Sequence, residues 1–194
     1  MKLQPLLDYI NRYVTLTKEE ESLLLSKVTV RKFGKSDFIV KNGDVCNFES
    51  FVLSGCVKTY FIDQDAQEII VMLAIENWWT ADLGSFISRE PAKLNVQCVE
   101  KTELAQIHYD DLQELYKQVP KLERFFRLII QQAFVASQNR IVVNYSEPAK
   151  KRYLKFREQY ASIEHRVPQY MVASYLGITK EFLSKVRRQL LKEK

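Results

Sequence analysis

The sequence predicts an α+β protein in which an N-terminal β-roll is joined by a long helix to a C-terminal helix-turn-helix. Short apolar runs separated by turn residues occupy the segment from residue 28 to about residue 107. A segment with neither Gly nor Pro follows from residue 121 to about residue 145, as expected of one long helix. Basic residues then dominate the end of the chain. We therefore predict three parts, with boundaries at residues 1–118, 119–146 and 147–194.

Two short helices are expected ahead of the roll. Apolar residues recur at helical spacing between Leu3 and Ile10. A second helical pattern runs from Leu16 to Lys27, where Thr17 is a suitable N-cap shortly before three consecutive glutamates. We expect these helices to form a packing arm.

The roll is predicted from the length and spacing of its strands. The candidate strands are short and rich in β-branched and aromatic residues, and turn sequences containing Gly, Asn, Asp or Ser separate them. Even spacing of short strands favours a sandwich, roll or barrel over alternating β-α-β units. The clearest runs are residues 51–53, 57–62, 69–75 and 94–99.

The long helix carries an apolar pattern suited to a dimer interface. Its apolar residues step by four and three, which is about three heptads of a coiled-coil pattern. Arg140 interrupts this seam, and further apolar residues, including Phe125 and Val135, widen the apolar face as in a helix packed on its own domain. We therefore expect a dimer seam combined with packing inside the chain. The predicted seam residues are Leu122, Phe126, Ile129, Ala133, Ala136 and Val143.

Charge separates the C-terminal part from the rest of the chain. The 194 residues contain 29 Lys and Arg and 24 Asp and Glu, a net charge of +5. Residues 148–194 hold 12 basic and 4 acidic residues, a net charge of +8, whereas residues 1–147 hold 17 and 20, a net charge of −3. A basic module attached to a mildly acidic β domain suggests a sensor or scaffold that carries a polyanion-binding head.

The basic part contains a helix-turn-helix pattern. Pro168 suits the start of a short helix over residues 169–175. Gly177 lies in the turn that follows, and Thr179 is a suitable N-cap for a second helix over residues 180 to about 191. Polar residues fill one face of this second helix, and the apolar face comprises Phe182, Leu183, Val186 and Leu190.

The polar face of the second helix suits recognition of duplex DNA. The major groove, roughly 12 Å wide, admits a helix whose exposed N-terminal half carries long donors and an acceptor. Lys180 and Lys185 would donate to guanine or phosphate, and Glu181 would accept from cytosine. A single Lys or Arg is most often simply solvated, so the indication comes from the glycine turn, the apolar face and the localised charge together. The predicted DNA-binding residues are Thr179, Lys180, Glu181, Ser184, Lys185, Arg187 and Arg188, with further phosphate contacts from Lys150, Lys151, Arg152 and Arg166.

Four stretches of the chain resemble the Crp/Fnr family of bacterial transcription regulators, and the resemblance extends over residues 28–188. Residues 51–57 (FVLSGCV) are similar to the family's strand-glycine-strand, and residues 80–86 (TADLGSF) to its phosphate-binding cassette. Residues 105–109 (AQIHY) resemble the strand that leads into its dimer helix, and residues 172–188 its winged helix-turn-helix. The resemblance implies a jelly-roll-like, cyclic nucleotide-binding-domain-like sensor, a dimerisation helix, and base contacts by Lys180, Glu181 and Lys185.

The cassette departs from the family's pattern. Binding a cyclic nucleotide calls for backbone N–H groups at a helix N-terminus, an Arg paired with the phosphate, and a carboxylate for the ribose hydroxyl. Asp82 fills the carboxylate position in place of the usual Glu, and Ala92 and Lys93 stand where the family has an Arg-Ser pair. We expect an unidentified small-molecule effector, or none, rather than cyclic AMP. The candidate effector pocket comprises Asp82, Leu83, Gly84, Ser85, Ala92 and Lys93.

Other function classes lack their residues. The sequence has no apolar run of the roughly 18 residues that span a bilayer and no signal-peptide pattern, so we expect a cytoplasmic protein. Cys46, Cys56 and Cys98 are too widely spaced for a disulfide framework or an iron–sulfur site and are expected to be buried thiols. With only His108 and His165 as imidazole ligands, we predict no metal centre, no cofactor and no cupin-type enzyme.

The leading hypothesis is a homodimeric regulator of a pseudo-palindromic DNA operator, with RNA polymerase as a further candidate partner. Its two recognition helices would lie about one DNA turn, roughly 34 Å, apart. Because the sequence ends soon after the second helix, any hairpin contact is expected from residues 162–167, around Arg166. The alternative is a ligand-binding sensor module that acts through protein partners without specific DNA binding. It leaves the basic helix-turn-helix unexplained.

Overall fold

A computed structural model describes the backbone of residues 2–192 and the side chains of residues 2–190. The two predicted N-terminal helices are present as α1 (Gln4–Ile10) and α2 (Lys18–Ser26). Thr17 caps α2 as predicted. Its Oγ1 accepts a hydrogen bond from the Glu20 N–H at 3.3 Å, and its own N–H donates to the Glu20 carboxylate at 2.7 Å. This capping box satisfies two backbone groups at the point where the helix begins.

The predicted β-roll is confirmed as eight antiparallel strands within the described residues. One sheet has the strand order β1-β8-β3-β6 and the other β2-β7-β4-β5. Each sheet combines strands from the beginning and the end of this part of the chain, so neither is complete until the whole segment has folded. The strands are β1 (Val28–Phe33), β2 (Phe38–Val40), β3 (Phe48–Ser54), β4 (Val57–Ile62), β5 (Glu68–Ala74), β6 (Trp79–Thr80), β7 (Asn95–Cys98) and β8 (Thr102–His108).

The connection between β3 and β4 depends on a glycine. Gly55 has a φ of +108°, a conformation that L side chains rarely adopt. A Cβ atom at this position would lie 2.5 Å from the Thr102 hydroxyl oxygen and 2.7 Å from the Thr102 Cα. Glycine is therefore required here for both backbone angle and space, where the chain crosses from one sheet to the other.

The roll, the N-terminal arm and the first half of the long helix share one hydrophobic core. Helix α4 (Tyr109–Gln118) follows β8 directly, and α5 (Pro120–Ser146) is a single helix of 27 residues that begins at a proline. The Tyr9 ring of α1 lies 5.5 Å from that of Phe51 in β3 and 6.1 Å from that of Phe125 in α5. The arm thus joins the start of α5 to the sheet. No helix in the described part of the chain, α5 included, is long and apolar enough to cross a membrane.

Further helices follow α5 and enclose a second core. They are α6 (Ala149–Gln159), α7 (Ala161–Arg166), α8 (Gln169–Tyr175) and α9 (Lys180–Lys192). Buried side chains such as Phe156, Met171 and Leu183 pack there against Ile70 and Leu73 of the roll. Residues 162–167, the segment from which any hairpin contact with DNA was expected, do not form a hairpin, because most of this segment forms α7.

The C-terminal helices pack on β5, the edge strand of its sheet. Ser174 of α8 accepts a hydrogen bond from the Ile70 N–H at 2.9 Å and donates to the Glu68 carbonyl oxygen at 2.8 Å. Arg166 donates to both oxygens of the Glu76 carboxylate, at 2.6 and 3.0 Å, and also pairs with Glu100. An edge strand exposes unpaired backbone groups, and α8 covers some of those of β5.

The three cysteines are buried free thiols, as predicted. Burial raises the pKa of the Cys56 thiol to about 12 and that of Cys98 to about 11. At neutral pH both therefore stay protonated, which makes them poor nucleophiles and poor metal ligands. Across the described residues, no group of three or more His, Cys, Asp or Glu side chains is arranged to hold a metal ion.

Candidate functional site

Two helices joined by a tight turn lie where the helix-turn-helix is predicted. Gly177 follows α8 with a φ of +62°. The Ile178 N–H donates to the Ala173 carbonyl oxygen at 3.0 Å, and the Gly177 N–H donates to that of Ser174 at 3.0 Å. This pair of bonds is a Schellman motif, which satisfies carbonyl groups at the end of α8 and redirects the chain toward α9.

The N-terminal half of α9 presents polar side chains to solvent. The Thr179 Oγ1 accepts a hydrogen bond from the Phe182 N–H at 3.1 Å and so caps the helix. Leu183 and Val186 are buried in the second core and anchor the opposite side of α9. The predicted DNA-binding residues that are exposed are Thr179, Lys180, Glu181, Lys185 and Arg188.

The other predicted contacts on α9 are less accessible. Ser184 is half-buried, and the Arg187 Nη1 lies 3.6 Å from the Glu164 carboxylate. Phe182, expected on the apolar face, is 43% exposed and therefore lies toward the solvent side. The exposed surface of α9 thus includes one aromatic ring among its polar residues.

Most of the predicted phosphate contacts outside α9 are engaged within the chain. Arg166 is paired with two carboxylates of the roll, and Arg152 donates to the Asn144 carbonyl oxygen at 2.6 Å. The Lys151 ammonium lies 3.3 Å from the Glu147 carboxylate, and Lys150 is half-buried. We do not retain Arg166 as a phosphate contact, because its guanidinium is already neutralised by Glu76 and Glu100.

The predicted effector pocket is closed by its own carboxylate. Asp82, only 4% exposed, caps α3 (Leu83–Ser88), and its Oδ1 accepts from the Ser85 N–H at 3.1 Å. Its Oδ2 accepts from the N–H groups of Lys93 and Leu94, both at 2.9 Å. These backbone donors are of the kind that would face a bound phosphate. An anionic ligand would therefore have to displace the Asp82 carboxylate or meet its negative charge.

The other residues of the predicted pocket also lie in or beside this hydrogen-bonded loop. The Ser85 hydroxyl donates to the Glu90 carbonyl oxygen at 2.6 Å and accepts from the Cys46 N–H at 2.9 Å. Ala92 is buried, Leu83 is half-buried, and Gly84 and the Lys93 side chain are exposed. The structure thus brings the predicted residues together, but as a hydrogen-bonded loop rather than as an open anion site.

Arg89, which follows α3, is also held by the chain. It has a φ of +62°, and its guanidinium donates to the carbonyl oxygens of Cys46 and Phe86 at 2.8 and 3.2 Å. It also contacts the Asn47 side chain and lies 4.2 Å from the centre of the Tyr109 ring. These contacts leave Arg89 little freedom to serve as a phosphate ligand.

The second half of α5 exposes apolar side chains that no described part of the chain covers. Phe134, Val135, Ile141 and Val142 are 53–62% exposed, and Tyr145 is 91% exposed. Phe134 and Ile141 are seven residues apart, as are Val135 and Val142, and Tyr145 follows Ile141 by four residues. These spacings place all five residues on one side of the helix. We refer to these five residues as the α5 stripe.

The predicted seam lies on a different side of α5. Leu122 and Phe126 are buried in the chain's own core, and Ile129 packs against it. We therefore remove Leu122 and Phe126 from the seam, because they have almost no surface left for a partner. Arg140, which interrupts the predicted pattern, donates to the Val71 carbonyl oxygen of β5, so this side of the helix faces the roll. Of the remaining seam residues, Ala133 and Ala136 are exposed and Val143 is half-buried.

A cavity of about 320 Å³, which the sequence reasoning missed, lies between β3, α3, α4 and the first half of α5. Glu49 of β3 lines it and is 7% exposed. Within the described residues no hydrogen bond or ion pair reaches its carboxylate, and burial raises the pKa of Glu49 to about 7. The sequence feature that could have indicated this site is a glutamate within a largely apolar strand, between Phe48 and Phe51.

Replacing Glu49 with glutamine is expected to stabilise the protein above pH 7. The carboxyl has a pKa of about 7 in the folded chain against an ordinary value of 4.5, so the folded state binds this proton more tightly. Wild-type stability therefore falls as the pH rises through this interval, by about 3 kcal/mol in all. The stability of the glutamine variant does not fall in this way as the pH rises.

Urea unfolding at pH 5 and pH 8 measures the effect. Glu90→Gln, which changes an exposed glutamate, is the control and should follow the wild type. An identical pH dependence in Glu49→Gln and the wild type would contradict a buried, unpaired carboxyl.

The roll is similar to a known domain family. Residues 30–119 match the family model of the cyclic nucleotide-binding domain. The matched residues cover nearly all of the roll together with α4. No curated protein matches the chain.

Solved structures of regulators are similar to the chain over most of its length. The c-di-GMP-responsive global regulator CLP of Xanthomonas campestris is 16% identical, with a TM-score of 0.75 over 91% of this chain and 93% of its own. The catabolite activator protein of Thermus thermophilus is 20% identical, with a TM-score of 0.60 over 93% and 86%. A protein of Eubacterium rectale assigned to the Crp/Fnr family is 18% identical, with a TM-score of 0.71 over 92% and 85%. These likenesses show the fold, a β-roll like that of the cyclic nucleotide-binding domain, followed by a long helix and further helices.

Proposed function

We propose that the protein is a homodimeric, DNA-binding transcription regulator of the Crp/Fnr type. The observation that carries the proposal is the exposed polar face of α9, which presents Lys180, Glu181 and Lys185 in its first two turns and Arg188 further along. Two cations and one acceptor in the first two turns of a helix suit the reading of base edges in the major groove. The net charge of +8 over residues 148–194 favours a polyanion as the partner.

The side chains of α9 divide into two roles under this proposal. Lys180, Glu181 and Lys185 lie in the first two turns and would contact base edges. Arg187 and Arg188 lie further along the helix and would contact phosphates, which adds affinity but little sequence information. Thr179 and Ser184 are the remaining proposed DNA-binding residues, and each carries a hydroxyl. Burial of Leu183 and Val186 holds α9 in place, so these side chains act from a rigid support.

Dimerisation through the α5 stripe would place two copies of α9 on one duplex. A second copy of α5 can cover the stripe in a two-fold symmetric contact, in which each helix buries the same residues. The described residues of the single chain leave the stripe uncovered, and its seven-residue repeat is a spacing typical of helix pairs. Two recognition helices roughly 34 Å apart would then read a pseudo-palindromic operator.

The effector is proposed to differ from cyclic AMP. The N–H groups that would bind its phosphate are held by Asp82, and Ala92 cannot supply the guanidinium that the resemblance calls for. We propose no enzymatic activity and no metal or cofactor requirement, since the fold is shared with regulators. A regulator of chromosomal operators would act in the cytoplasm.

The double substitution Lys185→Ala and Arg188→Ala is expected to lower duplex affinity by about 100-fold, because it removes two contacts of α9 with DNA. Duplexes selected by the wild type from a random pool provide the ligand, and fluorescence anisotropy at two salt concentrations measures the affinity. The slope of log affinity against log salt should become shallower by about one to two.

The matched control is Lys101→Ala with Lys117→Ala, which removes the same charge from exposed positions outside the C-terminal helices. It should retain wild-type binding. If both double variants bind duplexes equally well, or if the wild type selects no two-fold symmetric motif, the chain is a sensor without specific DNA binding.

A further inference from the structure

We propose that the cavity beside Glu49 binds a small organic ammonium ion with an apolar body. Of the residues in the predicted effector pocket, only Leu83 also lines this cavity. The site is therefore distinct from the closed cassette at Asp82. The proposal does not depend on DNA binding, since the cavity lies in the cyclic nucleotide-binding domain and the beginning of α5.

An unpaired, buried carboxylate provides the specificity. Glu49 lines the cavity with 7% exposure, and within the described residues its carboxylate has no partner. Burying an ionised carboxylate without a partner is unfavourable. A ligand that brings a positive charge and N–H donors removes this penalty, whereas a neutral ligand does so only in part and an anion increases it. The site therefore selects a cation.

Aromatic rings line the same cavity and suit both parts of such a ligand. The rings of Phe86 and Tyr109 lie 5.3 Å apart, and those of Tyr116 and Phe126 lie 5.8 Å apart. Aromatic faces attract cations, and Tyr109 already receives the Arg89 guanidinium on its ring. A volume of about 320 Å³ is at the lower end for small-molecule sites, so the apolar body is of the size of one ring or a short alkyl chain.

The charged and titratable groups around Glu49 come from α4, from α5 and from Cys46 ahead of β3. Burial raises the pKa of the Cys46 thiol, and the nearby charge of Glu49 raises it further. Helix α4 contributes Tyr109 and Tyr116, and α5 contributes Glu123 and Arg127. Burial, with the charges of Glu49 and Glu123, raises the pKa of Tyr116, so this phenol stays neutral. The lining part of α3 has no titratable side chain. When Glu49 is ionised, the cavity lining carries the two carboxylates of Glu49 and Glu123 and the one guanidinium of Arg127. The net charge of the lining is then negative.

Isothermal titration calorimetry of the full chain with 2-phenylethylamine tests the proposal. The neutral and anionic probes of similar shape are 2-phenylethanol and phenylacetate. At pH 8 we expect the amine to bind about tenfold more tightly than either of them. Glu49→Gln should weaken amine binding by about tenfold, and lowering the pH to 5.5 should weaken it in the wild type by a similar or larger factor, because Glu49 then takes up a proton.

Two further variants locate the site. Ile87→Trp changes an exposed lining residue, so it should obstruct the cavity and abolish amine binding while leaving the core intact. Glu90→Gln, outside the cavity, should bind like the wild type. No amine binding by the wild type, or binding that Glu49→Gln and Ile87→Trp leave unchanged, would overturn the proposal. Because no DNA is present in this assay, either outcome leaves the proposed regulator function to its own test.

Discussion

Replacing Ile141 and Val142 with aspartate is expected to convert the proposed dimer into a monomer. A two-fold contact would place four aspartates in a surface that is apolar in the wild type, and burying unpaired charges there is strongly unfavourable. We expect the dimer dissociation constant to rise by about 1000-fold, and operator affinity to fall by a comparable factor because each monomer offers one recognition helix. Sedimentation velocity measures the first quantity and fluorescence anisotropy the second.

The control for this experiment also separates the two interfaces that α5 offers. Ala133 and Ala136 belong to the seam predicted from sequence and are exposed, but they lie outside the α5 stripe. The variant Ala133→Asp with Ala136→Asp adds the same charge and should remain a dimer. A monomeric Ala133→Asp, Ala136→Asp variant beside a dimeric Ile141→Asp, Val142→Asp variant would show that the stripe is not the interface.

Replacing Asp82 with alanine is expected to lower the free energy of unfolding by about 3 to 5 kcal/mol. The substitution leaves the N–H groups of Ser85, Lys93 and Leu94 without their acceptor, and each buried unsatisfied donor costs about 1 to 3 kcal/mol. It also removes the cap of α3. Urea unfolding of the variant and the wild type, monitored by circular dichroism, measures the difference.

Asp44→Ala is the matched control for Asp82, because Asp44 is exposed and lies on a neighbouring loop. Its substitution should change stability by less than about 0.5 kcal/mol. Equal stabilities of the two variants would contradict the role given to Asp82. So would a marked rise in the wild-type melting temperature on adding cyclic AMP, because the cassette would then be open to a phosphate.

The candidate site could be predicted only where it depends on neighbouring residues. Thr179, Gly177 and the alternation of Leu183 and Val186 with polar residues act within one or two helical turns, so the pattern located α9 and its exposed face. The position of Arg166 could not be predicted in this way. Its partners Glu76 and Glu100 lie in the roll, far away in sequence, and no local signal connects them.

The same distinction applies to α5. Its length follows from the absence of Gly and Pro and from a proline at its first position. Which side meets the roll follows from contacts made by Phe126 and Arg140 with distant strands and helices, so the apolar pattern alone did not show that Leu122 and Phe126 are buried within the chain. The apolar residues that remain outside are those that the roll and the N-terminal arm do not reach.

By itself, the sequence determined the local features of this protein: the strands and turns of the roll, the capping of α2 and α9, the length of α5 and the concentration of positive charge in the last helices. Each depends on residues a few positions apart. Only the tertiary structure decided that the Asp82 carboxylate closes the cassette. It also decided that, among the residues it describes, Glu49 has no partner and the α5 stripe is uncovered. The physical reason is that burial and hydrogen-bond partners depend on which distant elements meet, and that information is not present in any local pattern.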